Sequence, residues 1–402
     1  MSFFHAGKIR VMLIGGEGRE HAIVWSLSKS PKVDLIICAP GNGGTARGST
    51  KIKNCDPDIK ATDLTGLLGV AETHRVDLVV PCSDSSIISG AVDFFETWGF
   101  RVFGPSKKVA KIEGSKRWAK AFMERHKIPT ASYQSFSSPS EASLFLQSQP
   151  TSRHVVKASG LAAGKGVFLC NTKEEAEDAV NKFMVERVFG EAGEEIVIEE
   201  FLVGRELSVT IITDGKVWRL FPVGQDAQRI YDGNLGPNTG DHKFVGFICT
   251  GIMQTVDGPK LLEYNARFGD PEAQALFPLL DDASDLADIM IACTEAQLER
   301  VHMEFQPKAA ISLVVASSGY PGAYRVGEFI DFGALPQDVF VFHAGTSWAG
   351  DRLVTQGGRV LAVVCIADST EEAIKGAYSG AREIIFKGKY LRTDIGQILS
   401  SW

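Results

Sequence analysis

The stretch KASGLAAGKGV at residues 157–167 lies between two predicted strands and carries the strongest signal in the chain. Its glycines and alanines let backbone N–H groups wrap around phosphate oxygens, while Lys157 and Lys165 neutralise phosphate charge. Lys165 is followed by Gly166 rather than by serine or threonine, so this is not a Walker A loop. A solvated hairpin would account for the glycines but not for the lysines. The stretch therefore predicts a nucleotide phosphate site, which also includes Gly164.

A second polar segment, LEYNARFGDPE at residues 262–272, carries candidate metal ligands. Glu263 and Asn265 alternate along a predicted strand, so their side chains point to one face. Two hard oxygen ligands on one face suit Mg²⁺ that is shared with ATP phosphates. If the strand continues, Arg267 lies on the same face and can pair with a carboxylate or a phosphate. An edge strand with outward polar residues is the alternative interpretation.

Two adjacent carboxylates, Glu199 and Glu200, end a predicted strand at residues 195–200. Such a pair is compatible with an ordinary solvated turn. Beside an adenine pocket, the backbone of this segment can instead read the edge of the base, and a carboxylate can hold the ribose hydroxyls. Both interpretations stay open on the sequence alone.

The N-terminal segment alternates strands and helices. Strands are predicted at residues 9–14, 35–39, 78–81 and 101–104, and helices at 19–28 and 64–74. This alternation predicts a parallel sheet with helices on both faces, whose ligands lie beyond the carboxyl ends of the strands. A further helix, carrying residues 107–126, leads out of this unit.

The glycine turn GGEGREH at residues 15–21 follows the first strand and opens a helix, whose N terminus attracts an anion. Gly16 and Gly18 begin the spacing of a dinucleotide site, but His21 takes its last position. No acidic residue closes the second strand, where Cys38-Ala39-Pro40 stands. The turn favours a phosphorylated sugar over a dinucleotide, with a purely structural strand–helix turn as the alternative.

Composition excludes several classes of function. The chain has 402 residues, 44% of them hydrophobic, which predicts two to four globular domains. The formal net charge of −7 argues against a broad nucleic-acid surface, and no apolar run approaches a membrane span. The start has no signal-peptide core, and seven scattered cysteines form no CxxC pair. We therefore expect a cytoplasmic protein with reduced thiols, acting on small molecules rather than on nucleic acid or membranes.

Taken together, these segments resemble the glycinamide ribonucleotide synthetase (phosphoribosylamine–glycine ligase) family of the ATP-grasp superfamily. The resemblance runs along nearly the whole chain. It is carried by GREH at 18–21, APGNGGT at 39–45, EGSK at 113–116, GLAAGKG at 160–166, GPNTG at 236–240, RFGDPE at 267–272, GYPG at 319–322, HAGT at 343–346 and GGRV at 357–360.

The resemblance implies an α/β fold with four parts. An N-terminal doubly wound parallel-sheet domain at 1–106 binds phosphoribosylamine. An ATP-grasp core takes 107–126 and 193–308, a small α/β lid takes 127–192, and a C-terminal α+β domain takes 309–402. It also implies a monomer or homodimer.

The resemblance further implies the reaction. ATP phosphorylates the glycine carboxylate, and the amine of 5-phosphoribosylamine attacks the acyl phosphate to give glycinamide ribonucleotide, ADP and phosphate. The residues that would meet ATP are Lys116, Lys157, Gly164, Lys165 and Gly166 at the phosphates, Glu199, Glu200, Phe201 and Leu202 at the adenine, and Glu206 at the ribose. Glu263 and Asn265 would bind Mg²⁺ or Mn²⁺, Asp226 and Arg267 would be catalytic, and Gly15, Gly18, Asn42, Gly43, Asp84, Arg267 and Asp270 would bind the other substrates.

Three departures from the family pattern stand out. Pro81-Cys82-Ser83-Asp84 replaces Gly-Pro-Glu, so Asp84 would have to stand in for a longer glutamate. Gln225-Asp226-Ala227-Gln228-Arg229 lacks the family's histidine and lysine. After Gly240, the family's Gly-Met-Gly-Ala-Tyr and a long helical insertion are missing.

Two hypotheses stand beside the active ligase, and the first of them follows from these departures. One is a catalytically impaired relative that keeps the fold and binds nucleotide. The other is a nicotinamide oxidoreductase built on the turn at Gly15, against which the missing ribose carboxylate argues.

Overall fold

The N-terminal domain is a five-stranded parallel sheet flanked by helices. The structure is a computed structural model that describes residues 7–162, 165–224 and 244–396. The strands are β1 (Ile9–Gly15), β2 (Val33–Pro40), β3 (Ile52–Asn54), β4 (Leu78–Pro81) and β5 (Arg101–Val102). The helices are α1 (Gly18–Lys29), α2 (Gly43–Arg47), α3 (Leu64–His74), α4 (Asp84–Ser89) and α5 (Ala91–Thr97).

The strands lie in the order β3-β2-β1-β4-β5. From β1 the chain extends the sheet to one side with β2 and β3, and then to the other side with β4 and β5. Val11 and Leu13 of β1 pack on the side of α1, whereas Met12 and Ile14 pack on the side of α3 and α5. Burial on both faces explains why β1 is a continuous apolar run. The predicted doubly wound domain is confirmed, and its topological switch point lies beyond the ends of β1 and β4.

The single helix predicted at residues 107–126 is wrong, because the segment forms two helices. These are α6 (Lys107–Gly114) and α7 (Lys116–Arg125). Ser115 between them is extended, with φ −143° and ψ 107°, and its hydroxyl accepts a hydrogen bond from Trp118 N. A serine that caps the second helix satisfies backbone N–H groups that a continuous helix would have used internally.

The lid is a four-stranded antiparallel sheet covered by two helices. Its elements are β6 (Tyr133–Phe136), α8 (Pro139–Ser148), β7 (His154–Ala158), β8 (Val167–Cys170), α9 (Lys173–Val180) and β9 (Ile196–Glu200), with a π-helical turn at Asn181–Val185 and a 3-10 turn at Gly190–Gly193. The strand order is β6-β9-β7-β8. Strand β9, which follows the range 127–192 predicted for the lid, thus pairs with lid strands.

The core predicted at 193–308 contains a second antiparallel sheet, in the order β11-β10-β12-β13. Its elements are β10 (Arg205–Thr213), β11 (Trp218–Leu220), β12 (Gly246–Thr255), β13 (Gly258–Asn265), α10 (Glu272–Leu276) and α11 (Leu286–Thr294), with 3-10 turns at Phe277–Leu279 and Leu298–Arg300. One face, including Val209, Ile248 and Ile252, packs on α6 and α7. The opposite face carries the polar residues of the candidate site.

The C-terminal domain packs a helix on a small antiparallel sheet. Its elements are β14 (Ala309–Ser317), β15 (Asp331–Phe332), β16 (Val339–His343), β17 (Thr346–Ala349), β18 (Arg352–Thr355), β19 (Arg359–Ala367), α12 (Thr370–Arg382), β20 (Ile384–Ile385) and β21 (Lys389–Tyr390). The main sheet has the order β16-β19-β14-β21. Across the described ranges, no helix combines the length and apolar character needed to cross a membrane.

The C-terminal domain is held against the N-terminal glycine turns by hydrogen bonds. Asn42 Nδ2 donates to His343 O at 2.7 Å, and Trp348 Nε1 donates to Gly43 O at 2.7 Å. The backbone N–H of His343 donates to Nδ1 of His21 at 2.8 Å. A side chain at Gly44 would place its Cβ 2.2 Å from the His21 ring, so this contact requires glycine.

A cluster of phenylalanine rings joins the N-terminal domain to the core. Phe247 lies 5.1 Å from Phe103 and 4.8 Å from Phe268, between ring centroids, and Phe221 and Phe277 complete the cluster. Edge-to-face packing of these buried rings holds Phe103 of the N-terminal domain against Phe247 of the core.

We expect Phe247→Ala to lower the free energy of unfolding by about 3 to 5 kcal/mol, because it removes a buried ring and leaves a cavity. Urea unfolding followed by tryptophan fluorescence measures this change. The control is Val256→Ala, since Val256 is fully exposed. Equal unfolding midpoints for the two variants would contradict the role of the cluster.

Histidine titration is expected to weaken the contact between the terminal domains in acid. Burial, with a smaller contribution from His343, lowers the pKa of His21 to about 3 from its ordinary 6.5. The unfolded chain therefore takes up a proton first, and stability present above pH 6.5 is lost as the pH falls towards 3. At pH 5, His21 accounts for about 2 kcal/mol of this loss.

The variant His21→Gln removes this titration. Its unfolding free energy should fall less between pH 7 and pH 5 than that of the unchanged chain. His126→Gln, at an exposed position, is the control. If both variants keep the pH dependence of the unchanged chain, His21 is not its source.

Candidate active site

The candidate site lies where the switch point of the N-terminal sheet meets the polar face of the core. The turn after β1 approaches the core closely at Gly18, where a Cβ would lie 2.3 Å from Gln274 Nε2. Asp270, two residues before the helix α10 that carries Gln274, accepts a hydrogen bond from Arg19 N at 3.1 Å. The structure thus brings Gly18 beside Asp270, whereas the Cβ position of Gly15 meets the side chain of Glu20, and a substrate-binding role for these residues stays a prediction.

Asn42 holds the second glycine turn in shape. Its Oδ1 accepts hydrogen bonds from Gly44 N and Thr45 N, at 2.9 and 3.2 Å, which caps α2. Its Nδ2 donates to Gly16 O at 3.0 Å, so the two turns are tied together. The structure therefore gives Asn42 a role in shaping the turn at Gly43, and its contact with a substrate stays a prediction.

A chain of alternating charges runs through the site: Glu20, Arg19, Asp84, Arg267 and Glu113. Arg19 Nε lies 2.7 Å from Glu20 Oε1, and Arg19 Nη2 lies 2.9 Å from Asp84 Oδ1. Arg267 Nε lies 2.7 Å from the same Asp84 oxygen, and Arg267 Nη2 lies 2.9 Å from Glu113 Oε1. No role was predicted for Arg19 or Glu113 from the sequence, although Arg19 lies in the motif GREH and Glu113 in the motif EGSK.

The two arginines keep the central carboxylate charged. Burial alone would raise the pKa of Asp84, but Arg267 and Arg19 hold it well below its ordinary value. Burial raises the pKa of Glu113, and Arg267 only partly opposes this. A second pair, Arg359 and Asp270, lies beside this row of alternating charges. Arg359 Nη1 donates a hydrogen bond to Asp270 O at 2.9 Å.

A buried lysine–glutamate cluster lies between lid and core. Lys157 Nζ and Lys120 Nζ lie 3.0 and 3.1 Å from the two carboxylate oxygens of Glu199. Burial lowers the pKa of Lys120 to about 8, although Glu199 opposes this. Lys120 is a site residue that was not predicted from the sequence. It lies four residues after Lys116 on α7, and this spacing was the sequence feature that could have identified it. The side chain of Glu199 thus holds two lysines, and an adenine contact by its backbone stays a prediction.

The other predicted phosphate residues are distributed around this cluster. Lys116 begins α7, and its N–H donates to Ser159 O at 2.8 Å. Lys165 Nζ lies 5.6 Å from the ring centre of Tyr320 in the C-terminal domain. Gly166 O accepts a hydrogen bond from Ala158 N, closing the loop. Gly164 and Asp226, like the sequence around Gly240, lie outside the described residues.

One face of the lid provides an apolar wall beside these charges. Val167 pairs with Lys157, and Leu169 pairs with Val155, which also pairs with Glu199. Paired residues share a face of the sheet, so Val167 and Leu169 lie on the face of Lys157 and Glu199. Both are exposed apolar side chains. This arrangement suits a flat base.

The connection from lid to core lies at the same edge. Glu200 Oε1 lies 2.8 Å from Lys260 Nζ, and the Arg153 guanidinium stacks 3.7 Å from the Phe201 ring centre. Leu202 is half-buried. Burial lowers the pKa of Lys157, but nearby carboxylates raise it above its ordinary value. Glu199 contributes most to this rise, and Glu206, on β10, is close enough to contribute as well.

Glu263 and Asn265 have the donor chemistry for a divalent cation shared with a nucleotide. They alternate on β13 and are half-buried, and Gly251 opposite Glu263 leaves room beside it. Asn265 Oδ1 accepts a hydrogen bond from Arg267 Nη2 at 3.3 Å. Among described residues, no group of three or more His, Cys, Asp or Glu side chains forms a self-sufficient metal site. This face therefore suits a divalent cation that takes two oxygen ligands from the protein and the others from phosphate and water.

Three family models cover most of the chain. The phosphoribosylglycinamide synthetase N domain matches residues 9–113, its ATP-grasp (A) domain matches 114–242 and 241–273, and its C domain matches 310–398. The match to the ATP-grasp domain is in two pieces that meet at 241–242. This junction adjoins Gly240, after which the sequence predicts missing residues.

Known proteins are similar over nearly the whole chain. The phosphoribosylamine–glycine ligase of Chlorobaculum tepidum is 41% identical over 425 residues, covering 96% of this chain and 99% of that protein. The bifunctional purine biosynthetic protein PUR2,5 of Pichia angusta is also 41% identical, and the match covers 53% of its length. An alignment of 425 positions exceeds the 402 residues here, so the first relative has residues that this chain lacks.

Solved structures give the same result. The phosphoribosylamine–glycine ligase of Thermotoga maritima superposes with a TM-score of 0.78 at 30% identity, covering 96% of this chain and all of that one. A biotin carboxylase domain of Hydrogenobacter thermophilus, solved with MgADP, has a TM-score of 0.72 at 14% identity, which shows a shared fold. The matches and the site geometry agree that this chain belongs to the phosphoribosylglycinamide synthetase family of ATP-grasp proteins.

Proposed function

We propose that the chain is a phosphoribosylamine–glycine ligase, which uses ATP to join glycine to 5-phosphoribosylamine in purine synthesis. The relatives from Chlorobaculum tepidum and Thermotoga maritima, which this chain matches over nearly their full length, carry this name. The observation that carries the proposal is the position of Arg267, which lies between the switch point of the N-terminal sheet and the metal-binding face of the core. One guanidinium would then face both the proposed site for a phosphorylated sugar and the proposed site for ATP.

The chemistry requires an activated carboxylate. The glycine carboxylate is a poor electrophile, because oxide would have to leave. Transfer of the terminal phosphoryl group of ATP gives glycyl phosphate, from which phosphate leaves when the amine of phosphoribosylamine attacks the acyl carbon. Little covalent chemistry is left to the protein, so binding in line and charge stabilisation account for catalysis.

The lysine cluster supplies positive charge to the phosphates. Lys157 and Lys120 are both buried and pair with the two oxygens of the Glu199 carboxylate, and Glu263 and Glu206 also act on Lys157. An incoming triphosphate offers further anionic oxygens to the two ammonium groups. Lys165 and Gly166 close the phosphate loop over the same cleft, and Val167 and Leu169 cover one side of the base.

Glu263 and Asn265 would hold Mg²⁺ or Mn²⁺, which supplies charge neutralisation at the transferring phosphoryl group. Arg267 lies next along the chain and is fixed by Asn265, Asp84 and Glu113. It is placed to pair with the glycine carboxylate or the moving phosphoryl group, and the predicted catalytic role of Asp226 belongs to the same step. A fixed guanidinium stabilises developing charge without reorganising.

The remaining expectations stay predictions. We infer a cytoplasmic monomer or homodimer that acts on ATP, glycine and phosphoribosylamine. The dinucleotide oxidoreductase has no support from the family matches, whereas the impaired ligase differs from the active one only in turnover.

ADP release distinguishes the two ligase hypotheses. We expect ADP formation to require glycine and phosphoribosylamine together, because the acyl phosphate is discharged by the amine. A coupled assay with each substrate omitted in turn measures this. If ATP binds but both substrates together give no ADP, the chain is the impaired relative.

The metal-binding face is tested by Glu263→Gln, which replaces a charged ligand by a neutral one. We expect the Mg²⁺ concentration for half-maximal activity to rise by at least about tenfold, since even outer-shell changes cost that much. Electron paramagnetic resonance of Mn²⁺ in the presence of ADP gives a second readout of metal affinity. The control is Glu141→Gln, on the exposed surface of the lid. Unchanged metal dependence in both assays would remove Glu263 from the metal site.

A further inference from the structure

Asp84 is the central link between two arginines that belong to different domains. It begins α4 in the N-terminal domain, and Arg19 lies in the first turn of α1. Arg267 follows β13 of the core, 183 residues away in sequence. Asp84 Oδ1 lies 2.9 Å from Arg19 Nη2 and 2.7 Å from Arg267 Nε, and its Oδ2 accepts a hydrogen bond from Arg267 Nη2 at 3.4 Å.

Both oxygens of this carboxylate are therefore engaged before any substrate binds. The side chain of Arg19 is 6% exposed and that of Arg267 is 14% exposed, so water screens these contacts weakly. A sugar hydroxyl would have to share a carboxylate that already pairs with two guanidinium groups. The contacts of the Asp84 carboxylate thus tie it to Arg19 and Arg267.

The carboxylates around Arg267 fix it from two sides. Glu113 Oε1 lies 2.9 Å from Arg267 Nη2, and Glu113 Oε2 accepts a hydrogen bond from Ala266 N at 2.8 Å. Glu113 thus binds both the side chain and the neighbouring backbone of the core. Asp84 approaches from the N-terminal domain, so the orientation of the guanidinium depends on the contact between the two domains.

We propose that Asp84 is a positioning residue for glycine activation, which holds Arg267 in place rather than serving as a ligand of the sugar. The N-terminal domain then contributes to formation of glycyl phosphate even when phosphoribosylamine is absent. This inference rests on the proposed ligase function. It adds a role for Asp84, the position at which this chain has aspartate in place of the family's glutamate.

Hydroxylamine separates the two halves of the reaction. With ATP and glycine present, its nitrogen attacks the acyl carbon of glycyl phosphate and the C–O bond to phosphate breaks. Phosphate leaves, the nitrogen loses a proton to solvent, and glycine hydroxamate forms. The rate of hydroxamate formation thus reports on glycine activation with no sugar in the site.

The test variant is Asp84→Asn, which keeps the shape and removes the charge. We expect kcat for hydroxamate formation to fall between about 10-fold and 100-fold, because a misplaced catalytic group has an effect of this size. Asp84→Glu restores the carboxylate and should bring kcat back to within about fivefold of the unchanged chain. The control is Asp34→Asn, a surface carboxylate whose ion pairs with Lys8 and Arg10 are long, at 3.9 and 3.7 Å.

Several results would overturn the proposal. An unchanged hydroxamate rate in Asp84→Asn, with a raised KM for phosphoribosylamine in the full reaction, would make Asp84 a sugar ligand. A loss that Asp84→Glu does not restore, with a lowered thermal midpoint, would make it a structural residue. If Asp84→Asn does not fold, Asp84→Ser, which suits the first turn of a helix, takes its place under the same expectations.

The same assay separates this proposal from the proposed function. If the unchanged chain forms no hydroxamate from ATP, glycine and hydroxylamine, glycine activation itself fails. If the unchanged chain is active and Asp84→Asn is equally active, only the role of Asp84 is lost.

Discussion

The pairing of Asp84 with Arg19 and Arg267 is the interaction on which the site depends. It joins the end of one sheet to the end of another through groups that water screens weakly. Without it, two arginines would face each other across the contact between domains. The phenylalanine cluster around Phe247 holds the same contact from the apolar side, so packing sets the distance at which the charges meet.

The proposed nucleotide side of the site is built on a different principle. Lys157 and Lys120 share Glu199 in a buried cluster, and burial lowers the pKa of Lys120. Two buried ammonium groups favour a polyanion, whose oxygens accept charge-assisted hydrogen bonds. The apolar wall at Val167 and Leu169 adds a surface for the base without adding charge.

Departures from the family pattern have different consequences. The exchange of glutamate for Asp84 lies within the described structure and is accommodated by two ion pairs. The shortened segment after Gly240 coincides with the junction in the family match at 241–242. The described elements on either side of it include β13, which carries Glu263 and Asn265, and the row of charges from Glu20 to Glu113.

The sequence by itself determined four of the five strands of the N-terminal sheet, β3 being missed, the glycine- and lysine-rich loop at 157–167, the alternation of Glu263 with Asn265, and the family. These features follow from local periodicity and from glycine, whose effects act within a few residues. Only the tertiary structure decided that Ser115 splits a helix, that Lys120 joins Lys157 at Glu199, and that Asp84 lies between two arginines. Asp84 and Arg267 stand 183 residues apart, and no local pattern encodes which charges meet when distant segments pack together.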